Sequence, residues 1–365
     1  MKATQTTMMV LLLLLLLSPM TTVVVKASFS NEEGQEQEQQ FPFTVPPTTA
    51  TEEDLQLVEQ EQEEPPTVAE LIQRYGANQS DITLTPQMLD QVGQKAVVLT
   101  FDDNWESQYS YVEPILTNNG FNATFFIYCL GLEQGPEFMT AQQLRDLHAK
   151  GYDIQSHSMT HPNLLNASQE QLDFEISVSK QCIEELVPGL EVEAFATPFA
   201  VGADNATILE SIRDAGYEYS RVGYGGNFHL GCDADWYNQT AGCQLYEENG
   251  TMKFQNRFNI PTADANGISR ENNHDLNATQ ATFEREINDA LTYDVEGKLA
   301  ALPVLVYHNF SNRVLPPEQM GQSMLAESFA QQMQYLKDNN FVVLSLKDLT
   351  FDTFNETFAV PTRLS

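Results

Sequence analysis

The run Ala96-Val-Val-Leu-Thr-Phe-Asp-Asp103 joins an uninterrupted apolar segment to two adjacent acids. A continuous apolar run of this length is typical of a strand that is buried on both faces, as in a parallel sheet. In barrels, catalytic groups collect at the carboxyl ends of such strands. We therefore expect Asp102 and Asp103 to lie at the edge of a parallel sheet, in a candidate active site.

Strand and helix patterns alternate along the rest of the chain. The helix at 140–150, for example, has Thr140 as a candidate N-cap and Gly151 as its stop. Such alternation favours a parallel α/β sheet or barrel. The Asn-, Gly- and Asp-rich residues 225–277 are expected to form a loop insertion. Strand patterns lie at 123–129, 152–156, 192–197, 217–222, 302–307 and 341–346, and helix patterns at 110–119, 140–150, 168–186, 205–215 and 326–339.

The charge balance argues against two classes of partner. In 365 residues, 18 Lys and Arg face 51 Asp and Glu, for a net charge of −33 at pH 7. Nucleic acids and anionic membrane surfaces are bound by basic faces, so we expect neither as a partner. A neutral or cationic substrate fits better, although solubility or adaptation to high salt explains the acidity equally well. The hydrophobic share of 42% is enough to bury a sizeable core.

The first residues have the pattern of an export signal. Lys2 supplies a positive start, residues 8–17 are nearly all aliphatic, and Ala27 fits a cleavage site. We predict a signal peptide at 1–27, a secreted or cell-surface protein, and no membrane span after cleavage. A retained membrane anchor is the alternative, because the valines at 23–25 lengthen the apolar stretch.

Residues 28–66 are rich in Glu, Gln and Pro. Such a segment buries too little apolar surface to offset its ordering entropy, so a disordered acidic spacer is expected there. Residues 67–365 are then predicted to form the folded domain.

Glycan acceptors and cysteines agree with export. The four cysteines contain no CxxC pair that would indicate zinc or redox chemistry. Cys232 and Cys243 are close enough in sequence to close a short loop, which leaves Cys129 to pair with Cys182, but the sequence does not fix this connectivity. Asn-x-Ser/Thr acceptors, which predict a glycosylated surface, occur at Asn78, Asn122, Asn166, Asn205, Asn238, Asn249, Asn277, Asn309 and Asn355.

Three motifs bring acids and histidines to strand ends: Thr100-Phe-Asp-Asp103, His157-Ser-Met-Thr-His161 and Val304-Leu-Val-Tyr-His308. Asp103 with His157 and His161 offers one hard oxygen and two imidazole nitrogens. This set suits Zn²⁺ and leaves positions open for water and substrate. A spacing of four residues places both imidazoles on one side of a helical turn, and a tight loop can do the same.

Adjacent carboxylates can take different roles, because neighbouring residues after a strand point in different directions. With Asp103 on the metal, Asp102 can accept a proton from the attacking water. His308, on a separate strand end, is then available to protonate the leaving group. These roles indicate metal-assisted deacylation, with the metal and a backbone N–H holding the oxyanion. The alternative is structural: the acids cap a helix, and the histidines are ordinary surface or core residues.

Taken together, the motifs resemble those of the polysaccharide deacetylase family, carbohydrate esterase family 4 with the NodB-homology domain. Val98-Leu-Thr-Phe-Asp-Asp-Asn-Trp105 resembles its first motif, and residues 139–164 resemble its second motif with the preceding helix. Phe195-Ala-Thr-Pro-Phe199 stands where the third motif belongs, and Val306-Tyr-His308 where the last belongs. The resemblance covers about 95–349, in the family's usual order.

The resemblance implies an α/β fold, a distorted (β/α)7-type barrel, with a divalent metal that is most often Zn²⁺. It implies that Asp103, His157 and His161 bind the metal, that Asp102 is the catalytic base and that His308 is the catalytic acid. It also implies that the backbone N–H of Phe199 assists the oxyanion.

The chain departs from the family pattern at two positions. Ala196 stands where many members have an arginine that orients the catalytic Asp, so no guanidinium is expected there and another cation or the metal must take its role. Asn104 replaces the usual glycine. Asp235-Trp236 is only faintly like the fourth motif.

Three aromatic residues are candidates for stacking on sugar rings: Trp105, Tyr224 and Trp236. Packing in the core or in loops is the competing interpretation for each of them.

The function expected from the sequence is a secreted, metal-dependent deacetylase that removes N-acetyl groups from an amino-sugar polysaccharide, chitin-like or a cell-surface glycan. An O-acetyl esterase acting on xylan-like polymers is one alternative. A catalytically silent glycan-binding protein on the same fold is the other, motivated by the arginine missing at Ala196.

Overall fold

The computed structural model describes residues 22–30, 36–44, 67–75, 95–202, 205–221, 252–253, 258, 260, 262–291, 303–314, 323–348, 350–352 and 357–359. The chain divides into two compact units, Met1–Glu64 and Pro65–Ser365. Among the described residues, no helix is both long and apolar enough to cross a bilayer.

In the first unit, strands β1 (Thr22–Ser30) and β2 (Glu36–Thr44) pair in antiparallel fashion. They overlap the end of the predicted signal peptide and the start of the predicted acidic spacer. The valines at 23–25 lie in β1, and β-branched residues favour extended backbone. The composition of the segment as a whole does not reveal this local preference. The rest of both segments lies outside the described residues, so the signal peptide and the spacer stay predictions.

The second unit is built on a curved parallel sheet. Its strands lie in the order β7-β6-β5-β4-β3-β10-β9, with β13 also paired to β3. Every pairing in this sheet is parallel, which confirms the α/β prediction. The strands of this unit are β3 (Ala96–Asp102), β4 (Thr124–Ile127), β5 (Asp153–Ser156), β6 (Ala194–Ala196), β7 (Tyr219–Arg221), β8 (Met252–Lys253), β9 (Ala263–Asp264), β10 (Val304–Tyr307), β11 (Asn309–Ser311), β12 (Ser323–Leu325), β13 (Val342–Leu344), β14 (Thr350–Asp352) and β15 (Thr357–Ala359).

The two ends of the sheet curl toward each other. Ile260, shortly before β9, forms a parallel bridge with Arg221 of β7, and its N–H donates to the Ser220 carbonyl at 3.0 Å. The strands therefore enclose a distorted barrel, as predicted.

Helices connect and cover the strands. Two π-helical turns, Gln108–Val112 and Phe174–Val178, interrupt otherwise regular α-helix, and the second makes 169–186 one continuous helix with a π-turn in its middle. The α-helices are α1 (Val68–Tyr75), α2 (Glu113–Asn119), α3 (Ala141–Ala149), α4 (Gln169–Asp173), α5 (Ser179–Leu186), α6 (Ala206–Asp214), α7 (Ala265–Glu271), α8 (Leu276–Leu291) and α9 (Ala326–Asp338).

The core lies around β3, all of whose residues are buried, as the apolar run predicts. The Phe101 ring stacks on Phe125 and Tyr307, with centroids 5.0 and 5.2 Å away, and Phe329 meets it edge-on at 5.8 Å. A strand covered on both faces by such packing is held rigidly, and this rigidity fixes the position of the acids at its carboxyl end.

The region predicted as a loop insertion, 225–277, is partly regular where it is described. It contains β9, α7 and the first residues of α8. Ala265 and Ile268 pack into the core, although the surrounding polar residues hide this pattern in the sequence. The prediction of loop was wrong for 263–271.

Candidate metal centre and catalytic site

Three strands of the sheet, β3, β5 and β10, deliver the candidate site residues to one edge of the sheet. Asp102 is the last residue of β3, while His157 and His308 directly follow β5 and β10. Because the strands are parallel, their carboxyl ends meet there, as the sequence predicts.

Asp103, His157 and His161 converge, with one candidate ligand atom from each lying within 4.8 Å of the others. Asp103 Oδ1 lies 3.2 Å from His161 Nε2 and 3.5 Å from His157 Nε2. Ligands on a tetrahedral ion at the usual zinc distances are separated by about 3.3 Å. Asp103 Oδ1 is buried and makes no directed hydrogen bond among the described residues. The donor set and its spacing therefore fit a divalent metal such as Zn²⁺.

His157 is held in the tautomer that a metal ligand needs. Its Nδ1 lies 2.9 Å from the Ala196 carbonyl oxygen, to which it donates, so Nε2 is the nitrogen that faces Asp103 and that can bind a metal once it has lost its proton. His157 is buried and His161 is partly exposed.

The two histidines lie on a tight loop and not on a helix, which settles the alternative that the spacing left open. Ser158 and His161 have φ of 76° and 60°. Ser158 Oγ accepts the His161 N–H at 2.9 Å. This left-handed backbone costs free energy, so the loop needs external support.

Glu175 supplies that support from the π-turn of the helix at 169–186. Its carboxylate accepts the N–H groups of Met159 and Thr160 at 3.0 and 2.9 Å, and the Thr160 hydroxyl at 2.6 Å. Glu175 is buried, and sequence analysis did not identify it.

The charges in this cluster shift its titrations. Burial would raise the pKa of Asp103, but its interaction with His157 and the charges of His308 and His161 outweigh burial and hold that pKa below its usual range. For His157, burial is outweighed by the charge of Asp102 and the contact with Asp103, so its pKa is raised. Burial and the neighbouring His157 lower the pKa of His161 to about 4.

Asp102 has a guanidinium partner, Arg221, although none was expected from the alanine at position 196. Its Nη2 donates to both carboxylate oxygens of Asp102, at 2.6 Å to Oδ2, and both side chains are buried. Arg221 also lies over the Phe126 ring, with its Cζ 4.5 Å from the centroid. The register of β6 and β7 places Arg221 directly beside Ala196, so the guanidinium comes from the next strand.

The backbones that carry Asp102 and His308 are tied together. The Gln108 side-chain amide donates to the Asp102 carbonyl at 2.5 Å and to the His308 carbonyl at 3.0 Å. Asn266 accepts the His308 N–H at 2.8 Å. The candidate base and acid are thus fixed relative to each other by amides that the sequence analysis did not single out.

Asn104, which replaces a glycine of the family pattern, has φ of 56°, in the left-handed region that Asn tolerates best after Gly. Its side chain donates to the Tyr128 carbonyl at 2.8 Å and accepts the Tyr128 N–H at 3.0 Å. The substitution therefore keeps the turn and adds a clamp on the neighbouring strand end.

One cavity of about 180 Å³ collects the predicted catalytic and metal residues. Phe199 borders it with φ of 58°, and its exposed ring lies 4.6 Å from that of His161. The Nδ1 of His308 is buried there without a hydrogen-bond partner among the described residues. The residues lining the cavity are Asp102, Asp103, His157, His161, Thr197, Phe199, Ala200, Arg221, Val306 and His308.

A second cavity, of about 420 Å³, adjoins the first and shares Asp103 and His161 with it. Trp105 lines this cavity and stacks on Phe138, with ring centroids 5.1 Å apart. The structure thus brings one of the three predicted aromatic residues to the site. Tyr224 and Trp236 lie outside the described residues.

The structure contains the Cys129–Cys182 disulfide. Cys232 and Cys243 lie outside the described residues, so their pairing stays a prediction.

Comparison with known proteins agrees with the motifs. Residues 90–220 match the family model for polysaccharide deacetylase. A peptidoglycan-N-acetylglucosamine deacetylase of Bacillus cereus is 29% identical over 126 residues, 34% of this chain and 55% of that protein. A chitooligosaccharide deacetylase of Sinorhizobium fredii is 26% identical over 125 residues, again 34% and 55%. The chain spans about half the length of the curated relatives it matches.

Solved structures are similar at a greater distance. A family 4 carbohydrate esterase from Streptomyces lividans has a TM-score of 0.43 at 18% identity, covering 73% of this chain and 98% of that one. A CE4 family pseudoenzyme from Bacillus anthracis has a TM-score of 0.44 at 14% identity, covering 70% and 65%. Similarity of this extent does not bear on activity. Residues 90–220, which contain the first three motifs, are therefore similar to the polysaccharide deacetylase family.

Proposed function

We propose that this protein is a metal-dependent hydrolase that removes N-acetyl groups from an amino-sugar polysaccharide. The observation that carries the proposal is the cavity of about 180 Å³ in which Asp102, Asp103, His157, His161 and His308 meet. The relatives named as deacetylases of chitooligosaccharide and peptidoglycan support the substrate class.

Asp103, His157 and His161 would hold the metal, most readily Zn²⁺. When bound, the cation polarises the acetyl carbonyl and makes a water molecule more acidic. Asp102 accepts a proton from the attacking water, and Arg221 keeps the Asp102 carboxylate oriented. The water oxygen adds to the acetyl carbon.

The second half of the reaction breaks the carbon–nitrogen bond. His308 donates a proton to the departing amine, which leaves as the free amino sugar, and the acetyl group leaves as acetate. The backbone N–H of Phe199, at the edge of the same cavity, stabilises the oxyanion formed when water adds.

The test compares two substrates. Purified protein loaded with Zn²⁺ is incubated with N-acetylated chito-oligosaccharides and with acetylxylan, and released acetate is measured. We expect acetate from the first substrate, and no acetate after chelation or in Asp103→Asn. Release from acetylxylan alone would indicate an O-acetyl esterase, and release from neither by the metal-loaded protein would indicate a silent glycan-binding protein.

We also propose export of the protein, on the basis of the aliphatic residues 8–17 after Lys2 and the many glycan acceptors. Mass analysis of the protein from its native host should then show a mature chain that begins near residue 28. A chain that keeps residues 8–17 would indicate membrane tethering instead.

A further inference from the structure

A groove on the surface leads away from the candidate metal centre along the helix at 169–186. This third cavity, of about 590 Å³, shares Thr160 with the cavity of about 420 Å³. That second cavity shares Asp103 and His161 with the cavity of about 180 Å³ described above. Each cavity therefore shares at least one lining residue with the next, and the reacting centre belongs to the first cavity of this series.

The groove has the chemistry of a sugar-binding surface. Phe174 lines it with 42% of its surface exposed. Aromatic rings bind the apolar faces of sugar rings, while amides and carboxylates bind their hydroxyl groups. Asn163, Gln171 and Glu170 line this groove together with Phe174.

The two amides are oriented for this role. Asn163 Oδ1 accepts the Leu165 N–H at 3.0 Å, and Gln171 Oε1 accepts the Ser168 N–H at 2.8 Å. With their oxygens engaged by backbone, these side chains offer their N–H groups to a ligand, and Glu170 adds an acceptor. A site with an apolar platform and a few placed polar groups is typical of ligand pockets, as are volumes of roughly 300–1,000 Å³.

We propose that this groove, with Phe174 as its platform, binds sugar residues of the substrate chain that lie beyond the unit being deacetylated. This inference rests on the proposed function and specifies its substrate as an oligomer or polymer longer than a disaccharide. Continuity with the reacting cavity favours the substrate chain itself as the occupant, because one glycan can then run through all three cavities.

The test measures how the effect of Phe174→Ala depends on substrate length. For wild type, kcat/KM for acetate release should rise from the N-acetylated chito-dimer to the hexamer. Phe174→Ala should lower kcat/KM for the hexamer by roughly 3- to 10-fold, the size of one lost stacking contact. The dimer, which is too short to reach the groove, should be unaffected.

Two variants serve as controls. Phe174→Tyr keeps the aromatic face and should retain the preference for the hexamer. Leu165→Ala removes an apolar side chain of similar exposure, 44%, that does not line the groove, and should leave all lengths unchanged. Thermal unfolding of each variant checks that the fold is intact.

Failure of this inference can be told apart from failure of the proposed function. An equal loss on dimer and hexamer in Phe174→Ala, or no loss on either, would overturn the groove proposal while the deacetylase stands. Absence of turnover on every oligomer would refute the proposed function, and the groove would then be judged by calorimetric binding of the hexamer. Weaker binding in Phe174→Ala supports the groove, and unchanged binding overturns it.

Discussion

The position of Arg221 raises the question of whether a guanidinium works equally well from a neighbouring strand. Arg221→Ala should reduce turnover by roughly 10²-fold, because a misplaced catalytic group costs about that much. Metal content should stay stoichiometric, since Asp103 and both histidines remain. Arg221→Lys keeps a charge but loses the guanidinium whose Nη2 contacts both Asp102 oxygens, so it should restore only part of the activity.

A relocation variant separates positioning from general stability. In Ala196→Arg combined with Arg221→Ala, the guanidinium returns to the strand where the family pattern has it, beside its present position in the β6–β7 register. Recovery of turnover above that of Arg221→Ala is expected. Wild-type turnover in Arg221→Ala would show that Asp102 needs no cationic partner.

The roles of Asp102 and His308 in proton transfer can be separated from metal binding by mutation. Asp102→Asn should keep metal binding and lose roughly 10²–10⁴-fold in turnover, the range typical of general acid–base catalysis. His308→Ala should also keep metal, and should slow amide substrates more than activated aryl esters, whose leaving groups need no proton. Normal turnover in Asp102→Asn would contradict its assignment as the base.

Proton release should accompany metal binding at His157. In the metal-free protein its pKa is raised, so a bound proton must leave Nε2 before a cation can take its place. His161, with a pKa of about 4, is already neutral. Calorimetric titration with Zn²⁺ in buffers of different ionisation heat should show proton release at about pH 6, where metal-bound water is still largely protonated, and binding should weaken as the pH falls further. No proton release at about pH 6 would contradict this order of titration.

At the scale of elements, the π-turn in the helix at 169–186 places Glu175 against the loop at 157–161, which carries both histidines, and so stabilises the shape of that loop. Glu175→Gln removes the charge and leaves a single acceptor oxygen, so the N–H groups of Met159 and Thr160 and the Thr160 hydroxyl can no longer all be accepted. Metal affinity should fall by roughly 10-fold, within the range seen for groups that orient ligands. Glu185→Gln, an exposed change on the same helix, is the matched control. Equal affinity in both variants would mean that the loop holds its own shape.

The same elements show what sequence can predict. The apolar run of β3 and the helix at 168–186 follow from local patterns, and the structure has both. The π-turn that aims Glu175 at the loop has no local signal, because it depends on packing against another element. Residues 263–271 were misjudged for a similar reason: their few apolar side chains are scattered among polar ones and find core partners only in the folded chain.

At the scale of the whole molecule, the alternation of strand and helix patterns predicted the parallel sheet, and the motifs at strand ends predicted the meeting of Asp103, His157 and His161. Arg221 was missed because a guanidinium 119 residues from Asp102 becomes its partner only through strand order and register. The cation at the end of β7 is a signal in the sequence, but the family pattern points to the position of Ala196 and not to β7. Contacts between distant strand ends, and the groove beside Phe174, are properties of the fold and not of any segment.

The Cys129–Cys182 disulfide is coupled to the loop at 157–161, which carries both histidines, so we expect metal binding to depend on whether this disulfide is oxidised or reduced. The N–H groups of Cys129 and Leu130 donate to the Ser158 and Met159 carbonyls at 3.1 and 2.9 Å, while Cys182 anchors this segment to the helix that also carries Glu175. Treatment with a thiol reductant should therefore weaken Zn²⁺ binding before the sheet unfolds, as measured by metal titration beside circular dichroism. Cys129→Ser with Cys182→Ser should reproduce the effect and be insensitive to reductant. Unchanged affinity after confirmed reduction would contradict this coupling. If the coupling holds, material made in a reducing cytosol would fold and yet bind its metal poorly, so that the redox state of the host decides whether a preparation is active.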